Sequence, residues 1–252
     1  MVELVGGKPV IYLFSPTEQE VAVTISLVPQ WSFSAIYPVV PIEQEFGKTE
    51  GQTVQKVQWD VLVHKDGSLT EKATQLDVAY LFWEAHTNAD RPLTPPASPS
   101  IEEFRNTPSF NPATADLSPD DSVVLSVSHI TPYLDKALLA LGLHTEARTS
   151  FITYWLPSLL KHSHVALRFL RQEAYERAAP LDVVPAPDVV TRVFMLFKGI
   201  DQESLRDWSA AQDKAKEDVQ WWRDIVGVDL DKAGDGKLFR VLEWGGMEVL
   251  RP

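Results

Sequence analysis

The sequence predicts an α+β fold, with an N-terminal antiparallel β-sandwich-like module packed against a C-terminal half of helices and strands. Three observations carry this expectation. Through residue 87, short apolar runs alternate at the period of a half-buried strand, with turn signals at roughly 8–12 residue spacing. Beyond residue 122, apolar residues recur at helical spacing between further strand-like runs. Strands first, then mixed helices and strands, is the order expected of an α+β chain. With 44% hydrophobic residues among 252, the chain can fill such a core.

Taken in order, "KPVIYLFSP" is a short apolar strand. "EVAVTISLVP" places Val21, Val23, Ile25 and Leu27 on one face, and "WSFSAIYPVVP" alternates Trp31, Phe33 and Ala35 before Pro38 and Pro41 end the ladder. "VQKVQWDVLVHKDGSLTE" runs into Asp66-Gly67, a hairpin turn signal, and "LDVAYLFWEAH" supplies the returning strand. These make the module 1–87.

Residues 88–121 hold seven of the 18 prolines and no apolar period, so they read as a surface insertion or a lid. The half 122–252 opens with the strand "SVVLSVSHI". A helix follows, with Thr131 as N-cap, Pro132 at its first position and Gly142 just past its end. "TEARTSFITYWL" is a second helix capped by Thr145, with Phe151, Ile152, Trp155 and Leu156 on its apolar face. Pro157 predicts a break or kink at Leu156, with a second short turn through Leu160. "HVALRFL", "LDVV" and "VVTRVFMLFKG" read as strands. The spacing of Leu205, Trp208, Ala215, Val219, Trp222 and Val226 predicts one long helix over 201–227, with Asp201 as cap and Gly227 as stop. "KLFRVLEWGGMEVLRP" closes as a strand with a glycine bend.

Composition narrows the function. Lys and Arg total 23 against 35 Asp and Glu, a net charge of −12 without a basic cluster, so neither a nucleic acid nor an anionic membrane surface is the expected partner. The absence of cysteine excludes disulfides, thiol catalysis and Cys-ligated zinc. No apolar run is long enough to span a membrane, and the start lacks a secretory pattern, so a cytoplasmic protein is expected.

Five short motifs occur in one order: "KPVIYL", "YLFWE", "YWLP", "RVFM" and "EWGG". Together they resemble a family of uncharacterised, mostly bacterial proteins that begin near "KPVIYLYP". The resemblance implies that both halves belong to one unit. It implies no activity, so no catalytic role is carried over.

Chemistry must then be read residue by residue. His162 and His164 have the spacing of two metal ligands on one strand face, but Glu173 lies too far along to complete a set, and no metal is expected. Asp229, Asp231 and Asp235 fit no calcium-loop register and read as a turn. No nucleophile elbow, P-loop, dinucleotide fingerprint or H-E-x-x-H motif is present, and no cofactor is expected. Carboxylates beside aromatics are the stronger signal: Glu84 follows Trp83, Glu173 stands near Tyr175, and Glu243 precedes Trp244. In such surroundings a carboxyl becomes a general acid or base. The plainer arrangement pairs each Glu with Arg168, Arg171 or Arg192. The first expectation is thus a binding protein for a small molecule or a carbohydrate, with Trp83, Tyr154, Arg168 and Tyr175 as ligand contacts. The alternative is a cofactor-independent enzyme using Glu84 and Glu173 on a substrate such as a glycoside.

Overall fold

The computed structural model describes residues 5–6, 9–46, 53–88 and 110–249. Its architecture is α+β, built as three layers: helices, a large mixed sheet, and a second, smaller antiparallel sheet. The strands are β1 (Val5–Gly6), β2 (Val10–Phe14), β3 (Gln19–Ser26), β4 (Trp31–Tyr37), β5 (Ile42–Phe46), β6 (Thr53–Val63), β7 (Leu69–Glu71), β8 (Asp77–Val78) and β9 (Leu81–Thr87). After them come β10 (Val123–Ser126), α1 (Val127–Ala140), α2 (Thr145–Leu159), β11 (His164–Phe169), α3 (Gln172–Ala178), β12 (Leu181–Val184) and β13 (Val189–Ile200). The chain continues through α4 (Ser209–Lys214), α5 (Trp222–Val226) and α6 (Leu230–Ala233) to β14 (Arg240–Glu248).

The halves of the sequence share their sheets. In the large sheet β2 lies between β9 and β14, followed by β13, β11 and β10, while β4 pairs with β9. In the small sheet β12 pairs with β3, which pairs with β6. An N-terminal and a C-terminal strand are therefore hydrogen-bonded in both sheets, so the boundaries at 87 and 122 divide neither. Among the described residues only β13 and β14 run parallel, and residues 201–239 are the crossover that parallel neighbours require.

Strand alternation assigns the two cores. Val193, Met195 and Phe197 face α1, α2 and α5; Phe194 and Leu196 face the small sheet, meeting Val21, Val23, Ile25 and Trp59. The alternation read over Val21–Leu27 is realised, with all four side chains buried. In β4 a bulge between Phe33 and Ala35 shifts the register, so Ile36 packs inward and Ala35 is exposed. Gly67, at φ +87°, closes the expected Asp66-Gly67 hairpin.

Several helix boundaries differ from those expected. α1 begins at Val127, after Ser126, whose side chain makes no capping hydrogen bond, and takes Pro132 inside; its buried stripe starts at Ile130, ahead of the proline. Its end is as expected. Gly142 adopts φ +87°, and Leu143 N–H reaches the Leu138 carbonyl, closing the helix with a left-handed residue that favours glycine. The cap of α2 is His144, not Thr145, and the helix continues through Pro157 to Leu159. The proline forgoes one hydrogen bond, while Phe151, Trp155 and Leu159, all buried on one stripe, hold the last turns down.

The long helix over 201–227 is not formed. The segment breaks into a 3₁₀ turn at Ser204–Trp208, α4, a second 3₁₀ turn at Val219–Trp221, and α5. The reason lies in where its apolar residues go. Trp208 and Ala211 pack in the core between the sheets, whereas Trp222 and Val226 pack in the core under the helices. A straight rod cannot serve both faces of a sheet. The chain bends around the β10 edge, with α4 against β10, and so shields that edge.

β14 contains no bend. A Cβ on Gly246 would lie 3.0 Å from both the Met195 carbonyl and the Trp155 ring, so this glycine permits α2 to approach the sheet. Among the described residues no helix is long and apolar enough to cross a membrane.

Candidate ligand-binding cleft

Two of the aromatic residues singled out in the sequence converge, but on a carboxylate other than the expected pair. β13 and β14 place Arg192 directly opposite Glu243, and both side chains enter the space between the sheets. Glu243 Oε2 accepts from Arg192 Nε at 2.5 Å, and Oε1 accepts from Trp83 Nε1 at 3.0 Å and from the Tyr175 hydroxyl at 3.2 Å. The Arg192 guanidinium lies 4.2 Å from the Tyr175 ring centroid, and its Nη1 donates to Glu176. Burial, and then the Glu243 charge, push the Tyr175 phenol well above its ordinary value. Burial also raises Glu176, against the pull of Arg192. Arg192 is held protonated: burial opposes its charge, but Glu243, Tyr175 and Glu176 outweigh that. This is the arginine-paired arrangement, realised at Glu243 and Arg192.

The expected acid/base pair is not assembled. Trp83 points between the sheets, so its neighbour Glu84 points to the opposite face of β9, where it accepts from Ser34 Oγ at 3.0 Å. Glu173 is exposed on α3, whose Tyr175 and Ala178 pack between the sheets. The two carboxylates thus belong to different faces of the large sheet. Tyr154 is half-buried on α2, edge-on to Trp155 at 4.9 Å. The two histidines also part company. His162 precedes β11 and bonds Glu248 through Nε2 at 2.8 Å; His164 bonds Ser163 Oγ, at 3.3 Å.

Arg168, one of the expected contacts, lines an open cavity. This cleft of about 490 Å³ lies where β11 runs into α3 and the bent 201–239 segment crosses nearby. Its cationic lining is Arg168, Arg171 and Lys214; its acidic lining is Asp120 and Asp121. Phe110, Trp221, Ile225 and Ala174 supply apolar walls. Arg168 Nη1 meets Asp121 at 3.0 Å and Nη2 donates to the Asp116 carbonyl at 3.2 Å. Asp121 is itself fixed by Ser118 N–H at 2.9 Å and Ser122 Oγ at 2.8 Å. Lys214 donates to the Asp120 carbonyl. Two donors remain: Arg168 Nε and Trp221 Nε1 are buried and without a hydrogen-bond partner. Unmade hydrogen bonds on buried groups are costly, and these belong to residues lining one cavity.

Residues 89–109 of the proline-rich insertion lie outside the described residues. Residues 110–121 are docked: Phe110 meets Trp31 edge-to-face and Phe194 at a tilt, Leu117 is buried, and Asp116 meets Lys198 at 3.0 Å. The sequence points to Arg168, and Trp221 falls outside the stripe of Leu205, Trp208, Ala215, Val219, Trp222 and Val226 that predicts the long helix. Phe110 and Lys214 carried no signal, because tertiary folding alone brings them here. Comparison with family models, curated proteins and solved structures yields no match to the chain.

Proposed function

We propose that the chain binds a small molecule carrying an anionic or acceptor-rich group on a flat apolar body, in the cleft lined by Arg168 and Trp221. One observation carries this reading. Three cationic side chains and two unpartnered buried donors share an apolar-walled cavity, on a chain whose net charge is −12. An acidic surface repels anions in general, so a locally cationic cleft selects those whose shape lets them enter. The apolar body stacks on Trp221 and Phe110, and the acceptor group meets Arg168 and Arg171.

Calorimetry with a panel of aromatic carboxylates, sugar phosphates and neutral oligosaccharides tests it. Anionic members with a ring bind, and Arg168→Met weakens them by roughly tenfold or more, the worth of a hydrogen bond to a charged group. Trp221→Phe keeps the ring and removes the indole donor, and it weakens binding less. Preferential binding of neutral oligosaccharides, or anion binding that survives Arg168→Met unchanged, refutes the reading.

A further inference from the structure

Two more cavities, of about 490 and 440 Å³, meet at Phe14 and His144 and share no lining residue with the Arg168 cleft. Their charges are opposite. Among the described residues the first is lined by Arg240 and no carboxylate; the second is lined by Asp66, Asp77 and Glu146 and no lysine or arginine. Phe14 and His144 stand edge-to-face between them at 5.4 Å, with the Tyr12 ring 5.0 Å from His144.

A buried donor without a partner lies here. Arg240 donates Nη1 to the Ala233 carbonyl at 2.8 Å and lies over the Phe14 ring, yet its Nε is buried and unpaired. Tyr12 is 3% exposed and lines the acidic cavity. Its hydroxyl interacts with Glu146 and Trp244, which stand beside it. The unpaired Arg240 Nε, on a residue lining the first cavity, calls for an acceptor from outside.

The fixed groups define that partner. His144 Nδ1 accepts the Ala147 N–H at 3.1 Å, which leaves the proton of the neutral ring on Nε2 as a donor. Asp66 is turned onto Ser68, bonding its N–H and hydroxyl through Oδ1. Asp77 accepts from Thr70 through one oxygen only, and Glu146 is exposed on the first turn of α2. No three His, Asp or Glu side chains among the described residues are placed to hold a metal ion. The acidic wall therefore suits an organic cation, and the wall beyond the rings suits an anion.

We propose that the paired cavities form a binding site for a small zwitterion, such as an amino acid or a short peptide. Its carboxylate meets Arg240 and His144 Nε2–H, its ammonium meets Glu146 and Asp77, and its methylenes cross the Phe14 ring. The test compares 6-aminohexanoate with hexanoate and hexylammonium by calorimetry on the full chain. The zwitterion binds about tenfold tighter than either singly charged control, as expected where a second charge-assisted contact forms. Arg240→Gln reduces its affinity to that of hexylammonium, and Glu146→Gln to that of hexanoate. In the wild-type chain, the His144 ring resonances shift on titration, a readout independent of whether either variant folds. Equal affinity for all three probes, binding untouched by both substitutions, or no His144 shift at millimolar zwitterion overturns the proposal.

Discussion

Arg192 Nε stands 2.5 Å from Glu243 Oε2, across two parallel strands that place the residues side by side, and the pair is 2% and 0% exposed. Such a pair is expensive to create and more expensive to break, because removing one partner leaves the other charge buried and uncompensated. Glu243→Gln keeps shape and abolishes charge, and it should cost about 3–5 kcal/mol in urea denaturation. Replacing both residues together by methionine should recover most of that loss. If the double variant is no more stable than the single one, the pair is more than an offset of two buried charges.

Trp155 and Gly246 are complementary shapes. Trp155 is 5% exposed and meets Phe197 edge-on at 5.3 Å. Trp155→Ala should cost about 3–5 kcal/mol through the cavity it leaves. Gly246→Ala should destabilise for the opposite reason, since its methyl has no room beside Met195 and the indole. Thermal denaturation of both variants checks this; a Gly246→Ala protein with the wild-type melting temperature contradicts the packing described.

His144 should give stability a pH dependence. Burial, and then the charges of Arg148 and Arg240, hold its imidazole below the ordinary value, while Glu146 pulls the other way. Protonation would also forfeit the Nδ1 cap of α2 and place a cation at a helix N-terminus. The unfolded chain takes up this proton near pH 6.5, the folded one only at lower pH. The unfolded state thus binds more protons in that window. The contribution is complete above about pH 6.5 and is lost as pH falls through the folded value. His144→Asn caps without titrating there, so urea midpoints measured from pH 7.5 to 5 should fall less steeply in the variant.

His162 and His164, two positions apart, should behave differently. The His162 ring covers Gly199, where a Cβ would lie 2.2 Å from Nδ1, and Nε2 meets Glu248. The His164 side chain meets Ser163 Oγ and otherwise lines an open cavity. His162→Ala should cost about 1 kcal/mol or more, and His164→Ala should be nearly neutral. Equal effects in denaturant titrations would mean that the Glu248 contact contributes nothing.

Period carried most of the fold and little of the site. Val21 to Leu27 and Phe151 to Trp155 were legible because each run serves one core, and one face of a regular element leaves one repeat in sequence. The run from Leu205 to Val226 fitted a single helical stripe equally well, yet its residues serve two cores on either side of a sheet. Periodicity records that a residue is buried, not which core it enters. For the same reason the carboxylate beside Trp83 in sequence, Glu84, is not the one beside it in space. That place belongs to Glu243, brought there by β14, one strand beyond β2 in the sheet.

Pairing of β2 with β14 sets an order on assembly. Val10 is hydrogen-bonded in register with Trp244, so an early strand waits on the ribosome for a partner translated after every other described strand. Until then β9 and β4 can attach to β2, and β10 and β11 to β13, as two separate half-sheets with open edges. Insertion of β14 joins them, in the manner of a keystone. Protein cut within the crossover should therefore reconstitute from its two fragments by strand exchange, and a peptide spanning 238–249 added in trans should rescue a chain that lacks it.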